Sequence, residues 1–230
     1  METIILAGGF GTRLKSVVPN IPKTLAPINK RPFLDYLLNY LIKQRVNKVI
    51  LSLYYQHELI KNQYNHRYKS LNIIYSVDST ALGTGGALKR ALELSQSNDV
   101  FIINGDTFFN VDLNQLLYEH KYNKNDITIA LKPMENFDRY GIVETSNSGQ
   151  VTKLKEKQYC KYGKIDGGIY LINKNIINFF ENVKKFSFNH FIINNLNNLK
   201  VGSYLCNEDF IDIGIPEDYE LAHSMLENYL

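Results

Sequence analysis

The chain has 230 residues, 44% of them hydrophobic, and a net charge of +3 from 26 basic and 23 acidic side chains. That length and apolar content suffice for a full core and favour one α/β domain with a small annex over two catalytic units. The charge is too small, and the lysines too interspersed with carboxylates, for nucleic-acid binding; no apolar run approaches the ~18 residues of a membrane span, so neither nucleic acid nor membrane is an expected partner.

The first predicted strand, Thr3 to Ala7, starts too close to Met1 to leave room for a signal peptide, so a cytoplasmic location is expected. It breaks into Gly8-Gly9-Phe10-Gly11-Thr12-Arg13-Leu14, followed by Pro22-Lys23-Thr24-Leu25. Glycines after a strand expose a row of backbone N–H groups, and Arg13 and Lys23 add fixed positive charge, a combination suited to a polyphosphate. A dinucleotide fingerprint would need a glycine where Leu14 stands, and a P-loop would need Lys-Ser/Thr where Thr12-Arg13 follows Gly11. The alternative, a tight turn that uses glycine only for positive φ, does not call for Arg13 and Lys23.

Further along, Pro32 precedes a helical pattern over Phe33 to Leu41, and strands are predicted at Lys48 to Leu53, Asn72 to Val77 and Val100 to Asn104. Asp78 follows the third strand, and after Gly83-Thr84 a helix is predicted from Gly85 to Leu94. Strands alternating with helices predict a parallel sheet with helices on both faces, whose ligands bind at the carboxyl ends of the strands, where the glycine loop and Asp106 fall. Asp78 is an acceptor-only carboxylate able to take two donors, such as N1–H and the N2 amine of guanine; alternatively it merely starts the Asp78-Ser79-Thr80 turn.

The second half changes character. Short strands are predicted at Ile127 to Leu131, Gly141 to Glu144, Val151 to Leu154, Gly168 to Ile172, Val201 to Leu205 and Phe210 to Ile213, with an Asn147-Ser148-Gly149 turn and a last helix from Pro216 to Leu226. Asp106 and Asp212 flank this region, so residues of about 133–200 are expected to fold over the sheet edge and close a pocket, leaving about 1–132 and 201–230 as the nucleotide-binding part. Cys160 and Cys206 lack metal-ligand spacing and are expected to be reduced thiols. Asp106 and Asp212 could hold Mg²⁺ together with phosphate oxygens, or could be an ordinary turn residue and an ordinary helix cap.

The Leu6-to-Leu14 loop with Pro22-Lys23, Gly83-Thr84-Gly85-Gly86, Asn104-Gly105-Asp106, Tyr140-Gly141, Glu156-Lys157, Gly168-Ile169-Tyr170 and Asp212-Ile213-Gly214 occur in the order in which the sugar-phosphate nucleotidyltransferases carry their motifs. The chain resembles that family over nearly its whole length, and within it is most similar to the D-glycero-α-D-manno-heptose 1-phosphate guanylyltransferases, with mannose-1-phosphate guanylyltransferases next. The resemblance implies a Rossmann-like, mostly parallel sheet with a smaller β-rich sugar-binding insertion. It also implies attack of a sugar 1-phosphate on the α-phosphorus of GTP, with Mg²⁺ on Asp106 and Asp212. Arg13 would clamp the departing pyrophosphate, Lys23 would sit at the α-phosphate, and Gly8, Gly9, Gly11 and Thr12 would offer N–H groups. Main-chain groups of Leu6 and Ala7, with Asp78, Gly83, Thr84 and Gly85, would receive the nucleoside. Asn104, Gly141, Glu156, Lys157, Asp166 and Gly168 would receive the sugar phosphate.

Three positions depart from the family pattern: Thr24 replaces a proline, Asp166 an asparagine and Ile215 a threonine. Rival readings are a uridylyl or thymidylyl relative, a regulatory subunit that binds nucleotide sugar without catalysis, and a metal-dependent glycosyltransferase. Neither of the last two needs the Arg13 loop. A homo-oligomer is compatible with the sequence.

Overall fold

A computed structural model describes residues 1–14, 16–180 and 184–229. The first half runs β1 (Glu2–Leu6), a small antiparallel pair β2 (Pro27–Ile28) and β3 (Arg31–Pro32), α1 (Phe33–Lys43), β4 (Lys48–Leu53), α2 (His57–Tyr64), β5 (Arg67–Tyr68), β6 (Leu71–Val77), α3 (Gly83–Glu93) and β7 (Asp99–Asn104). Strands β7, β1, β4 and β6 lie side by side in that order and all parallel. The chain winds outward from β1 through β4 to β6, then α3 carries it back to the other side of β1. Between β1 and β7 the winding reverses, which opens a crevice at their carboxyl ends.

Both faces of this sheet are covered, so its strands are apolar on both sides. Ile5, Leu51 and Ile103 pack into one core with Leu34, Leu37 and Leu41 of α1, whereas Ile4, Ile50 and Ile102 pack into a second core with Leu88 and Leu92 of α3. The apolar spacing of α1 and Pro32 at its start explain why that segment is helical.

The second half runs β8 (Thr107–Phe109), α4 (Leu113–Tyr122), β9 (Ile127–Phe137), β10 (Ile142–Thr145), β11 (Val151–Lys155), β12 (Cys160–Asn173), α5 (Phe188–Asn195), β13 (Val201–Leu205), β14 (Phe210–Asp212) and α6 (Pro216–Met225). Strand β12 pairs antiparallel with β7, Ile169 opposite Ile103, and antiparallel with β9, while β13 runs parallel to β9. Strands β10 and β11 form the expected hairpin, turning at Gly149 with φ +79°. Strand β12 runs across the expected boundary of the insertion: Cys160 to Asp166 pair with the outer half of β9, and Ile169 to Asn173 lie in the main sheet against β7. Ile169, Tyr170, Leu171 and Ile172 are buried on both faces, so this stretch fills the sheet centre and cannot lift away as part of an annex.

At the amino ends of the strands, Glu2 accepts hydrogen bonds from Ser95 Oγ at 2.5 Å, the Gln96 N–H at 2.9 Å and Lys48 Nζ at 3.0 Å. Burial opposes its charge, but the bonds from Ser95, Lys48, Gln96 and Ser97 outweigh it and hold the carboxyl at about 2, down from 4.5. A carboxyl depressed in the folded state stabilises above its unfolded pKa, and the contribution fades as pH falls from about 4.5 toward about 2. Glu2→Gln should therefore cost about 1–3 kcal/mol at neutral pH, with the gap to wild type closing over that acid range in urea melts.

Candidate active site

The crevice between β1 and β7 contains a cavity of about 410 Å³. Its floor is the loop from Leu6 to Arg13. Ala7 N–H bonds to Ser52 C=O at 2.9 Å and Gly105 N–H bonds to Leu6 C=O at 2.9 Å, so the strand ends of β1, β4 and β7 are tied together beneath it. Gly8 lies so close to Tyr54 that a Cβ there would stand 3.2 Å from the Tyr54 nitrogen, and Gly11 takes φ +60° before the short 3₁₀ turn Thr12–Leu14 that carries Arg13. Gly9 has open space around it. Glycine thus serves contact at one position, backbone hand at another, and access at the third.

Lys23 opens a second 3₁₀ turn, Lys23–Leu25, and its side chain is only 11% exposed. Its ammonium lies 2.7 Å from Asp106 Oδ2 and 3.9 Å from Asp212 Oδ1. The two aspartates meet because β8 and β14 pair antiparallel with Asp212 opposite Thr107, and the Ile213 N–H donates to the Asp106 C=O at 3.0 Å. Burial and the facing Asp106 push the Asp212 carboxyl up to about 6, against the pull of Lys23, the Gly214 N–H and Arg13. Asp212 does not cap α6; the residue before that helix is Ile215, with no side-chain cap. Two hard-oxygen carboxylates that repel each other at the mouth of a phosphate-sized crevice fit a divalent cation that takes its remaining ligands from phosphate and water. Among the described residues, no group of three or more His, Cys, Asp or Glu is placed to hold a metal ion.

On the far wall lie Asp78, Gly83 and Thr84. Asp78 is 4% exposed; burial raises its pKa and Arg90, with Nη1 at 3.5 Å, opposes that rise. Its Oδ1 nevertheless has no hydrogen-bond partner, which leaves a buried acceptor in the cavity wall. Gly85, expected beside the nucleoside, does not line the cavity. A Cβ on it would collide with the Phe186 ring, and its N–H bonds to the Phe186 C=O at 3.0 Å. Thr84 lines the cavity yet its Oγ1 accepts from the Phe188 N–H at 2.9 Å.

A second cavity, about 500 Å³, adjoins the first, and Arg13, Asn104 and Gly214 border both. Gly141, Glu156, Lys157, Asp166 and Gly168 line it, as does Asp212. Asn104 packs on Gly168, whose φ of +72° and closeness to the amide exclude a side chain there. Sequence reasoning did not find Arg139, paired with Asp218 at 2.8 Å, or Ser187, Asn189 and His190 at the start of α5, although all four line this cavity. Their only signal was polarity in an otherwise aromatic stretch.

Backbone N–H groups, an arginine, a lysine and two carboxylates lie at the switch point of an α/β sheet and open on a second polar cavity, an arrangement with the charge and room to take two phosphorylated ligands side by side. The chain belongs to the nucleotidyl transferase family, whose model matches residues 2–228. It is 44% identical over 99% of its length to the whole D-glycero-α-D-manno-heptose 1-phosphate guanylyltransferase of Campylobacter jejuni, and 46% identical over 100% of its length to the whole enzyme of that name from Aneurinibacillus thermoaerophilus. The crystal structure of HddC from Yersinia pseudotuberculosis complexed with GMP-PN matches it with a TM-score of 0.87 at 33% identity, covering 98% of this chain and 99% of that one.

The contrast between two glycines gives a direct check. Gly85→Ala should lower stability by about 1–3 kcal/mol through the collision with Phe186, despite alanine's better helix propensity, whereas Gly9→Ala should leave the thermal midpoint unchanged.

Proposed function

We propose that this protein transfers GMP from GTP to D-glycero-α-D-manno-heptose 1-phosphate, releasing pyrophosphate and forming a GDP-activated heptose for surface polysaccharide. The observation that carries the reading is the junction itself: two cavities share Arg13, Asn104 and Gly214, with Lys23, Asp106 and Asp212 beside them. A transferase and a subunit that only binds a finished nucleotide sugar both need this adjacency; the Arg13 loop, which would hold the departing pyrophosphate, and Lys23 are needed by the transferase alone. Guanine and heptose are supported by the names of the full-length relatives.

A phosphate monoester has its second pKa near ~6, so the sugar phosphate arrives as its own nucleophile and no general base is required. The protein's task is to align two anions and neutralise charge as pyrophosphate departs. In this reading the N–H groups from Gly8 to Thr12 and the Arg13 guanidinium hold the β- and γ-phosphates, and Lys23 offsets charge at the α-phosphorus. Mg²⁺ bound by Asp106 and Asp212 would supply further charge neutralisation on the phosphates. Glu156 accepts sugar hydroxyls, Lys157 faces the anomeric phosphate, and Asn104, Gly141 and Gly168 shape the floor. Both cysteines are free, and no helix among the described residues is long and apolar enough to cross a membrane; a reducing cytoplasm that supplies GTP suits both facts.

The test is a pyrophosphate-release matrix of GTP, UTP, dTTP and CTP against mannose, glucose, N-acetylglucosamine and manno-heptose 1-phosphates. GTP with manno-heptose 1-phosphate should be fastest, and chelation of divalent ions should stop it. A faster reaction with mannose 1-phosphate would replace the heptose reading, and absence of turnover with every pair would favour a regulatory subunit.

Asp78 Oδ1, ion-paired with Arg90 Nη1 at 3.5 Å but accepting no hydrogen bond, suits the paired donors of guanine, N1–H and the N2 amine. Asp78→Asn would set like donors against each other, at a cost of about 1–3 kcal/mol. The ratio of kcat/KM for GTP over UTP should therefore fall by about tenfold or more; an unchanged ratio would return Asp78 to a turn role.

A further inference from the structure

One wall of the second cavity carries a chain of three polar side chains. Asp166 Oδ1 accepts from the Gly168 N–H at 2.9 Å, and its Oδ2 accepts from the Tyr170 hydroxyl at 2.6 Å. The same Tyr170 oxygen lies 3.4 Å from the amide oxygen of Asn189, on the first turn of α5. All three side chains line the cavity.

The direction of the chain follows from proton counting. Tyr170 is 3% exposed; burial first, then the facing Asp166 carboxylate, hold its phenol well above the usual range, so it keeps its single proton. Burial raises the Asp166 carboxyl, against the pull of the Tyr170 hydroxyl and the Gly168 N–H; in its ionised form it takes the phenol's proton, because the 2.6 Å bond to a carboxylate is stronger than the 3.4 Å contact with an amide oxygen. Toward Asn189 the phenol then presents only lone pairs, and oxygen against oxygen is repulsive. A half-turn of the amide about χ2 puts Nδ2 where Oδ1 was, converts the contact into a donated bond and leaves the side chain in the same space. Asparagine at position 166 could donate to Tyr170 and permit the opposite direction; a carboxylate cannot.

We propose that Asn189 determines sugar specificity. With its NH₂ committed to Tyr170, its Oδ1 faces the cavity and accepts a hydrogen bond from one hydroxyl of the sugar 1-phosphate. Asp166 and Tyr170 are positioning residues that fix the sense of the amide. Asp166, marked by its departure from the family pattern, thus acts on the sugar through Tyr170 and Asn189. The inference rests on the second cavity being the sugar site, as in the proposed function.

The experiment is steady-state kinetics at saturating GTP, with the sugar 1-phosphate that wild type uses fastest. Asn189 is exposed in the free protein, and Asn189→Ala should raise KM for the sugar phosphate by about tenfold, the scale of one hydrogen bond, with KM for GTP unchanged. Tyr170→Phe, which keeps the ring packed on Phe188, should raise it comparably, and the double variant should be no worse than Asn189→Ala alone. Additive losses would overturn the relay, and an unchanged sugar-phosphate KM in Asn189→Ala would overturn the proposal. Singly deoxygenated sugar 1-phosphates give a check that needs no change to Tyr170: one of them should lose about tenfold in wild type and lose nothing further in Asn189→Ala, and failure to find one overturns the assignment. If wild type turns over no sugar 1-phosphate, the functional reading fails and this inference with it; turnover with an unaffected Asn189→Ala sinks the inference alone.

Discussion

Two acidic side chains that repel each other, held on either side of one lysine, are the constraint around which the rest of this structure is arranged. Asp106 follows β7 and Asp212 ends β14, and 105 residues of sequence intervene. Left alone they would separate or protonate; burial first, then the facing Asp106, raises the Asp212 carboxyl to about 6. Cross-strand pairing of Asp212 with Thr107 and the bond from Ile213 N–H to Asp106 C=O hold them together with backbone, which does not depend on charge. Lys23 comes from a third segment, and its burial means that its ammonium has little choice of partner. Such a cluster is a poor way to stabilise a fold and a good way to receive a phosphate and its cation.

Much of the fold was legible in the sequence because the four parallel strands are buried on both faces and read as unbroken apolar runs. The predicted Lys48–Leu53 matches β4, and the other three lie within one residue of their observed ends. The second half was harder. Strand β12 is 14 residues long, but only its apolar end from Gly168 gave a signal; Lys161, Gly163 and Lys164 belong to a solvated ribbon whose pairing depends on β9, far away in sequence. Helix α4 went unpredicted although Asp112 caps it by accepting from Asn114 and Gln115 N–H groups.

The site divides in the same way. That Arg13, Lys23, Asp106 and Asp212 gather at one crevice was legible because glycines, prolines and strand ends frame them. Asn189 was not, because its importance comes from Tyr170, a contact only the tertiary structure creates. The Gly83-to-Gly86 run is an instructive half-success. It was read as room for a nucleoside, yet a Cβ at Gly83 would stand 2.6 Å from the Phe186 C=O, and one at Gly86 would meet the Lys184 C=O. Here glycine lets a second backbone segment lie against the helix start, and that segment leads into α5 and the other cavity.

Strand order also has a temporal meaning. Ile5 pairs with Ile103, which pairs with Ile169, so the layers of the sheet nearest the crevice join points spread across three-quarters of the polypeptide. As the chain leaves the ribosome, β1 can zip to β4 and β4 to β6 early, but the edge of β1 that borders the crevice stays bare until α3 has returned the chain and β7 has docked. Closing such distant pairs is slow, because chain entropy is lost before contacts repay it. Until then the exposed edge, rich in isoleucine, is the segment most open to pairing with another nascent chain, and the family's reversed winding carries this vulnerability with it.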